Sequence, residues 1–314
     1  MRTIISNTLM PVLMLTAVSA FGQAFPNKPI RILASEIGGG NDFVSRQLTP
    51  GLTASLGQQV IVENRGLIAP EIVSKATPDG YTLLINGGQL WLLPFLRDKV
   101  AYDPVRDFTP ITMAVTSAGI VVVHTSVPAN SIKDLIALAK AKPGELNYAA
   151  GALGAIPHLA AELFKNMTGT NIVHVPYKGN GPALNAVIGG QVQIMFTSAG
   201  TIAQHVTSGR LRALAVTTAK PSVLFPELPT VAATVPGYEA ATLTAIFAPR
   251  GTPAAIVQRL NREMVKELNK PEIKERFAKQ SIEVIASTPE DTAAKIKSEM
   301  TRLGKVIKEA GIRE

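Results

Sequence analysis

The chain of 314 residues contains no cysteine, one tryptophan and four histidines. The absence of cysteine excludes a thiol nucleophile, a thiolate metal site and any disulfide. The core must hold by burial alone, which a chain of this length can achieve. No Gly-Lys-Ser/Thr occurs, which excludes a P-loop for nucleotide phosphates. No serine stands in a Gly-x-Ser-x-Gly nucleophile elbow, and His124, His158, His174 and His205 show neither His-Glu-x-x-His nor i,i+4 ligand spacing. Beyond the amino terminus no apolar run is long enough to span a bilayer. The net charge is +8. Acids and bases are nevertheless interspersed along the last segment, "NREMVKELNKPEIKERF", as on solvated helix faces. With no aromatic-basic groove motif, no nucleic-acid partner is expected, and the excess charge would serve to gather anions.

Residues 1–24 carry Arg2, the apolar stretch "LMPVLMLTAVSA" and small residues suited to cleavage after Ala20 or Ala24. This pattern is expected to be a secretory signal peptide, placing the mature protein in the periplasm. The remainder alternates β-like and helix-like stretches. "PIRILAS", "QQVIVEN", "GYTLLING", "AGIVVVHT", "ELNYAAG", "NIVHVPY", "VQIMFTS" and "LRALAVTT" have strand character. Asn41–Leu56, Ser131–Ala141, Pro157–Asn166 and Pro182–Ile188 have helix character. Ser131 and Asp134 have capping-box spacing, and Thr252-Pro253 and Thr288-Pro289 are each expected to open a helix with an N-cap and a proline at the first position. The expected class is α/β, with mainly parallel sheets flanked by helices. The helical tail follows a β-like run, "TLTAIFAP", that fits best as a crossover back to a first domain. Two lobes would then be linked by two strands, near Val121–His124 and Thr244–Phe247. The expected segments are 25–123 for lobe 1, 124–243 for lobe 2, and 244–314 for the return to lobe 1.

Two turns share one logic. "ILASEIGGGNDFVSRQL" places Gly38, Gly39 and Gly40 between a strand and a helix. "NYAAGALGAIPHLAAELF" repeats strand, small-residue turn and helix in the other lobe. Bare backbone beside a helix start offers N–H groups and the positive end of the helix dipole to an anion. Phe43 occupies the third glycine position of a dinucleotide fingerprint, so a carboxylate fits better than a pyrophosphate. Purely structural turns remain the alternative at both places. His158, beside Gly154, is a candidate for a supporting polar role. It is also the one residue on which a hydrolase or isomerase reading would rest.

These motifs, with "FPNKPIRIL", "VIVENR", "ATPDGYTLL", "YDPVRDFTPI", "VHVPYKGNGPAL", "GGQVQIMF", "GRLRALAVTTAK", "PELPTV" and "APRGTP", resemble the Bug (TctC-like) periplasmic receptors of tripartite tricarboxylate transporters across almost the whole mature chain. The resemblance implies a two-lobed Venus-flytrap binding protein with no catalysis and no cofactor. It would deliver a small carboxylate to a membrane permease of one large and one small subunit, and act as a monomer. The same flytrap serving a membrane histidine kinase is the alternative.

By position, the family's ligand loops fall on Ile37, Gly38, Gly39, Gly40, Asn41 and Asp42, and on Asn86, Gly87, Gly88 and Gln89. In lobe 2 they fall on Ala150, Gly151, Gly154 and Ala155, on Lys178 and Gly179, and on Thr197 and Ser198. Trp91, just after the second loop, is a candidate cleft wall or a packed core residue. The departures favour an apolar ligand. Ile37 replaces a proline, Ala150, Ala155 and Ile156 replace hydroxyl residues, Thr197 replaces an aspartate, Leu243 replaces an aromatic, and "GLIAPEIV" is shorter and more apolar than its counterparts. Losing the aspartate disfavours an amino acid. A benzoate-, phthalate- or terephthalate-like acid, or an apolar dicarboxylate, is the expected ligand.

Overall fold

The computed structural model describes residues 25–35, 37–151 and 153–313; the expected leader, residues 1–24, lies outside them. The chain builds β1 (Ile30–Ala34), α1 (Gly40–Leu56), β2 (Val60–Asn64), α2 (Ala69–Ser74), β3 (Thr82–Gly87), α3 (Gly88–Leu96) and a long strand β4 (Phe108–Ser117). A second unit follows: β5 (Gly119–His124), α4 (Ile132–Ala141), β6 (Asn147–Ala150), α5 (Ile156–Thr168), β7 (Val173–Pro176), α6 (Asn180–Ile188), β8 (Ile194–Ser198), α7 (Ala199–Thr207) and β9 (Leu211–Val216). Then β10 (Thr242–Pro249) returns to the first unit, completed by α8 (Ala254–Leu268), α9 (Pro271–Ala278), β11 (Ile282–Val284) and α10 (Pro289–Glu309).

Two sheets result, ordered β11-β4-β10-β3-β1-β2 and β7-β6-β8-β5-β9. This is the two-lobed α/β architecture that the alternation predicts, but each sheet is mixed rather than mainly parallel. β1 pairs in parallel with β2 and β3, and β6 with β7 and β8. β10 runs antiparallel to β3 and β4, and β5 antiparallel to β8 and β9. The reason is directional. The strands that feed α1, α3, α5, α6 and α7 run towards the junction of the lobes, whereas β5 and β10 enter their lobes through that junction and run away from it.

The crossings are set back from where the apolar pattern suggests. β5 lies wholly in the second sheet, so the chain leaves the first lobe at Ala118 rather than within Val121–His124. The return falls just before Thr242, which already pairs with Ser117 of β4. The small residues Thr116, Ser117, Ala118 and Gly119 separate the end of β4 from the apolar Ile120–Val123 of β5, and the crossing falls among them rather than in the apolar run. Thr217 ties the crossings together. Its N–H donates to the Gly119 carbonyl (2.8 Å), its carbonyl accepts from the Ala240 N–H (2.9 Å), and its hydroxyl donates to the Ala240 carbonyl (2.6 Å). A Cβ on Gly119 would stand 2.5 Å from the Thr217 hydroxyl, so glycine is needed for this close approach.

Helix α10 packs on β4 and α3 of the first lobe and on α5 of the second. Between them, the Tyr238 hydroxyl donates to the Ala160 carbonyl (2.9 Å), and the Asn166 amide donates to Glu309 (2.9 Å). Glu239 takes Lys295 and Arg302 from α10, and Arg302 also pairs with Glu299. The helix opens as expected: Thr288 accepts the Asp291 N–H and Pro289 holds the first position. Ser131 likewise caps α4. Thr252 does not cap α8, whose N-cap is Pro253; its hydroxyl turns back to the Pro249 carbonyl (2.8 Å). The periodicity does not announce β4. It is covered by α8 and α10 on its two sides, which removes the polar alternation of a half-exposed strand. Its Pro110 stands opposite Phe247, beside a register shift, where a missing N–H is tolerated.

Replacing Thr217 by Val keeps the shape of this fully buried residue and removes the hydroxyl donor. Urea unfolding should show a loss of about 1–2 kcal/mol with an unchanged m-value.

Candidate functional site

The helices α1 and α3 of the first lobe, and α5, α6 and α7 of the second, all start where a strand ends at the junction of the lobes. Their N-cap residues are Gly39, Gly87, Ala155, Gly179 and Ser198, and none makes a side-chain capping bond. First-turn N–H groups have no partner inside their own helix, so these starts present donors to whatever occupies the cleft.

In the first turn only Gly38 is held in the left-handed region, with φ +77°. Its N–H donates to Asp42 (3.0 Å), which also accepts from Arg46 (2.9 Å) and Asn64 (2.9 Å). Burial alone would push the Asp42 carboxyl up, but the hydrogen bonds from Arg46, Gly38 and Asn64 outweigh it and hold it down at about 2. Gly40 faces open space. Asn41 bridges Ser35 and Thr244, each at 3.4 Å. Ile37 is 81 % exposed on the outer edge of the turn.

The second loop serves packing more than ligand. Asn86 accepts the Gly87 N–H (2.8 Å), and a Cβ on Gly87 would stand 2.7 Å from the Leu243 carbonyl oxygen. Gly88 is buried against Ile156 of the other lobe, where a Cβ would lie 3.1 Å from its methyl, and Gln89 is exposed. Trp91 is a core residue and not a cleft wall. It is 0 % exposed and packs against Phe247 with ring centroids 6.4 Å apart. The apolar face of α3 turns it inward among Leu33, Leu84 and Leu96.

In the second lobe Ala150 is buried at the end of β6. Gly151 allows the neighbouring turn to approach, since a Cβ there would stand 2.8 Å from the Gly179 carbonyl carbon and 2.9 Å from the Asn180 nitrogen. Gly154, φ +73°, donates its N–H to His158 Nδ1 (3.1 Å). That amide is therefore taken within the protein and is not offered to a ligand, contrary to a cradle that uses every amide of the turn. Leu153 is 48 % exposed beside it. Lys178 is exposed, Gly179 has φ +104°, and Ser198 shares a hydrogen bond with Thr201 (2.7 Å).

Between the lobes lies a cavity of about 240 Å³. Ile156, Pro157, Phe196, Thr197, Ser198 and Asn180 line it from the second lobe, with Gly119, Thr217, Ala240 and Thr242 from the crossings. Of the residues expected from sequence, only Thr197 and Ser198 line it. Asn180 sits one position beyond the expected "YKG", whereas Thr217 and Thr242 reach it through crossings that no local motif marks. No acidic or basic side chain is among the described residues lining it. Thr197 is 2 % exposed, and its hydroxyl is buried without a hydrogen-bond partner among the described residues. A larger groove of about 920 Å³ runs along α10 past Phe95, Val105 and Met300, but it belongs to one lobe and has no helix start.

The histidines offer no reactive arrangement. His158 is buried, its Nδ1 is occupied by Gly154, and burial followed by the neighbouring His174 push its imidazole down to about 4. His124 bonds Ser126 (2.7 Å). Among the described residues no three His, Cys, Asp or Glu side chains are grouped to hold a metal ion.

Comparison with known proteins agrees with this geometry. The model of the tripartite tricarboxylate transporter family receptor matches residues 44–312. The chain is 36 % identical to the UPF0065 protein in the tcbD-tcbE intergenic region of Pseudomonas sp. (strain P51), covering 91 % of this chain and 88 % of that protein. It is 34 % identical to protein BugT of Bordetella pertussis, covering 94 % and 93 %. Among solved structures, R. palustris Rpa4515 with adipate is 35 % identical, with a TM-score of 0.72 and coverage of 91 % and 98 %.

The unpartnered Thr197 hydroxyl separates two effects. Thr197→Val should raise stability by about 1 kcal/mol in thermal unfolding, because it removes a buried unsatisfied group. The same substitution should weaken ligand binding several-fold by calorimetry.

Proposed function

The chain belongs to the tripartite tricarboxylate transporter receptor family, and from that premise we propose that it is a periplasmic receptor for a small carboxylate with an apolar or aromatic body. The acid would be gripped by the uncapped amides of the facing helix starts, and the body would lie against Ile156, Pro157 and Phe196. One observation carries this reading: an unpartnered Thr197 hydroxyl in an otherwise uncharged cavity beside three uncapped helix starts. A carboxylate oxygen satisfies a hydroxyl and backbone N–H groups together.

The cavity lies below the usual range of about 300–1,000 Å³ for ligand pockets, which favours acids of benzoate to adipate size. That Rpa4515 was solved with adipate supports a carboxylate at this fold. With no acidic residue among the described residues of the lining, an amino acid's ammonium has no partner there. Burying about 100 Å² of an apolar body contributes about 2.5 kcal/mol, enough to set preference among acids that share the same amide grip. Closure on the ligand would bring the two lobes' rims together as one surface for a permease of one large and one small subunit, the receptor acting as a monomer.

Thermal unfolding across a panel tests the ligand class, with benzoate, phthalate, terephthalate and adipate set against citrate, malate and glutamate. An acid present at 100 times its Kd adds about 2.7 kcal/mol. Stabilisation by members of the first group alone is expected. Stabilisation by glutamate or citrate instead would keep a receptor and overturn the apolar ligand.

A further inference from the structure

The two lobes carry the same local device built from different chemistry. In each, a strand ends in a turn with a glycine in the left-handed region, Gly38 at φ +77° and Gly154 at φ +73°. An extended N-cap follows, Gly39 (φ −73°, ψ 167°) or Ala155 (φ −66°, ψ 152°), and then the helix. In each, the third helical residue reaches back four positions and accepts the glycine's N–H. Asp42 does so at 3.0 Å and His158 at 3.1 Å, and both side chains belong to buried residues.

We propose that Asp42 and His158 are a matched pair of positioning residues, each fixing the left-handed glycine of its turn so that the next amides of the helix start face the cleft. This rests on the reading that those turns grip the ligand. A left-handed glycine is the most freely rotating backbone unit in such a turn. If its N–H were loose, the peptide planes that follow would reorient and the donors would no longer be preorganised. Neither side chain needs to touch the ligand to set its affinity.

The two acceptors are held differently. Asp42 stays ionised among Arg46, Asn64 and the Gly38 N–H. His158 must be neutral with its proton on Nε2, because a protonated Nδ1 would meet the Gly154 N–H donor to donor. Its surroundings favour the neutral ring. His174 of β7 lies 4.6 Å away and Tyr148 of β6 lies 6.2 Å away by ring centroids. The Tyr148 hydroxyl donates to Glu162 of α5, which also pairs with Lys165 (2.7 Å). His158 titrates at about 4 and Asp42 at about 2, so on acidification the second lobe's turn loosens first, while both bonds persist from pH 5 to 8.

Four variants and the unmodified protein test the pair. His158→Asn and Asp42→Asn keep an acceptor oxygen in place; His158→Leu and Asp42→Leu do not. In the unliganded protein, amide exchange at Gly154 should quicken at least tenfold in H158L and stay near wild type in H158N, with Gly38 unaffected. D42L and D42N should show the converse. The Kd for adipate or terephthalate should rise at least tenfold in each Leu variant and stay within threefold in each Asn variant. Protection of the Gly154 amide, its exchange rate relative to the intrinsic rate at the same pH, should also fall below about pH 4.5 in wild type but not in H158N, which separates the imidazole from the ligand's own titration.

Unchanged Gly154 exchange in H158L, or equal losses in the Asn and Leu variants, would overturn the pairing. So would a proton on His158 Nδ1 in the nitrogen-15 imidazole spectrum of wild type, a readout that needs no variant to fold. If exchange follows the expected pattern while wild type binds none of the acids, the pair stands and the carboxylate reading fails.

Discussion

A helix begins with N–H groups that nothing inside the helix can satisfy, and this fold aims several such starts at one junction. α1 and α3 face it from the first lobe, and α5, α6 and α7 from the second. An ordinary surface helix would close its start with a serine or aspartate side chain, as Ser131 does for α4 and Thr288 for α10, both away from the junction. At the junction the N-caps are Gly39, Gly87, Ala155 and Gly179, which have no capping group, and Ser198, whose hydroxyl turns to Thr201 instead. These uncapped starts meet at one junction, and the sheet directions follow from it. The strands that feed α1, α3, α5, α6 and α7 run towards the junction, and the strands that enter through it run the other way.

Those donors are useful only if the lobes keep a defined relation. Two chain crossings, stitched by Thr217 to Gly119 and Ala240, join the two sheets along one line. α10 then spans the back, anchored to the first lobe by packing and to the second through α5 and Glu309. The lobes are thus tied on one side and meet on the other through contacts such as Gly88 against Ile156. Closure around a ligand can therefore be a rotation about the crossings that leaves the core of each lobe intact.

Much of this was legible because it is local. Alternating apolar runs with helix starts gave the strands that feed helices and the return of the chain to the first lobe at "TLTAIFAP". The glycine turns marked the starts of α1 and α5, which the structure brings to the junction of the lobes. What was hidden is tertiary. β4 is covered on two sides and so loses the alternation that would reveal it. The boundary at Ala118 lies in a short stretch of small residues just before the apolar run of β5, and a strand can run straight through such a stretch. Trp91 sits one helical turn from the cleft loop, and only the packing of α3 decides that it points into the core. The fate of individual amides was least visible. Gly87 and Gly154 look equally free in sequence, yet one is set by a carbonyl pressing on its flank and the other by an imidazole four residues on. Asp42 and His158 hold equivalent places, but the likeness appears only when both glycines are seen in the left-handed region.

Selectivity on such a scaffold divides into two terms. Backbone donors recognise a carboxylate whatever is attached to it, and they depend on the side chains that hold their turns, Asp42 and His158, rather than on those that line the cavity. The walls choose the rest. Here the described lining carries no charged side chain, and its one unpartnered polar group is Thr197. A hydroxyl can accept or donate, so it tolerates either oxygen of a carboxylate, whereas a carboxylate at this position would repel the ligand's acid and demand a cation beside it. On the reading proposed above, a threonine there, with Phe196 and Ile156 beside it, would leave the second lobe's end of the cavity compatible with an anion while offering no partner to an ammonium.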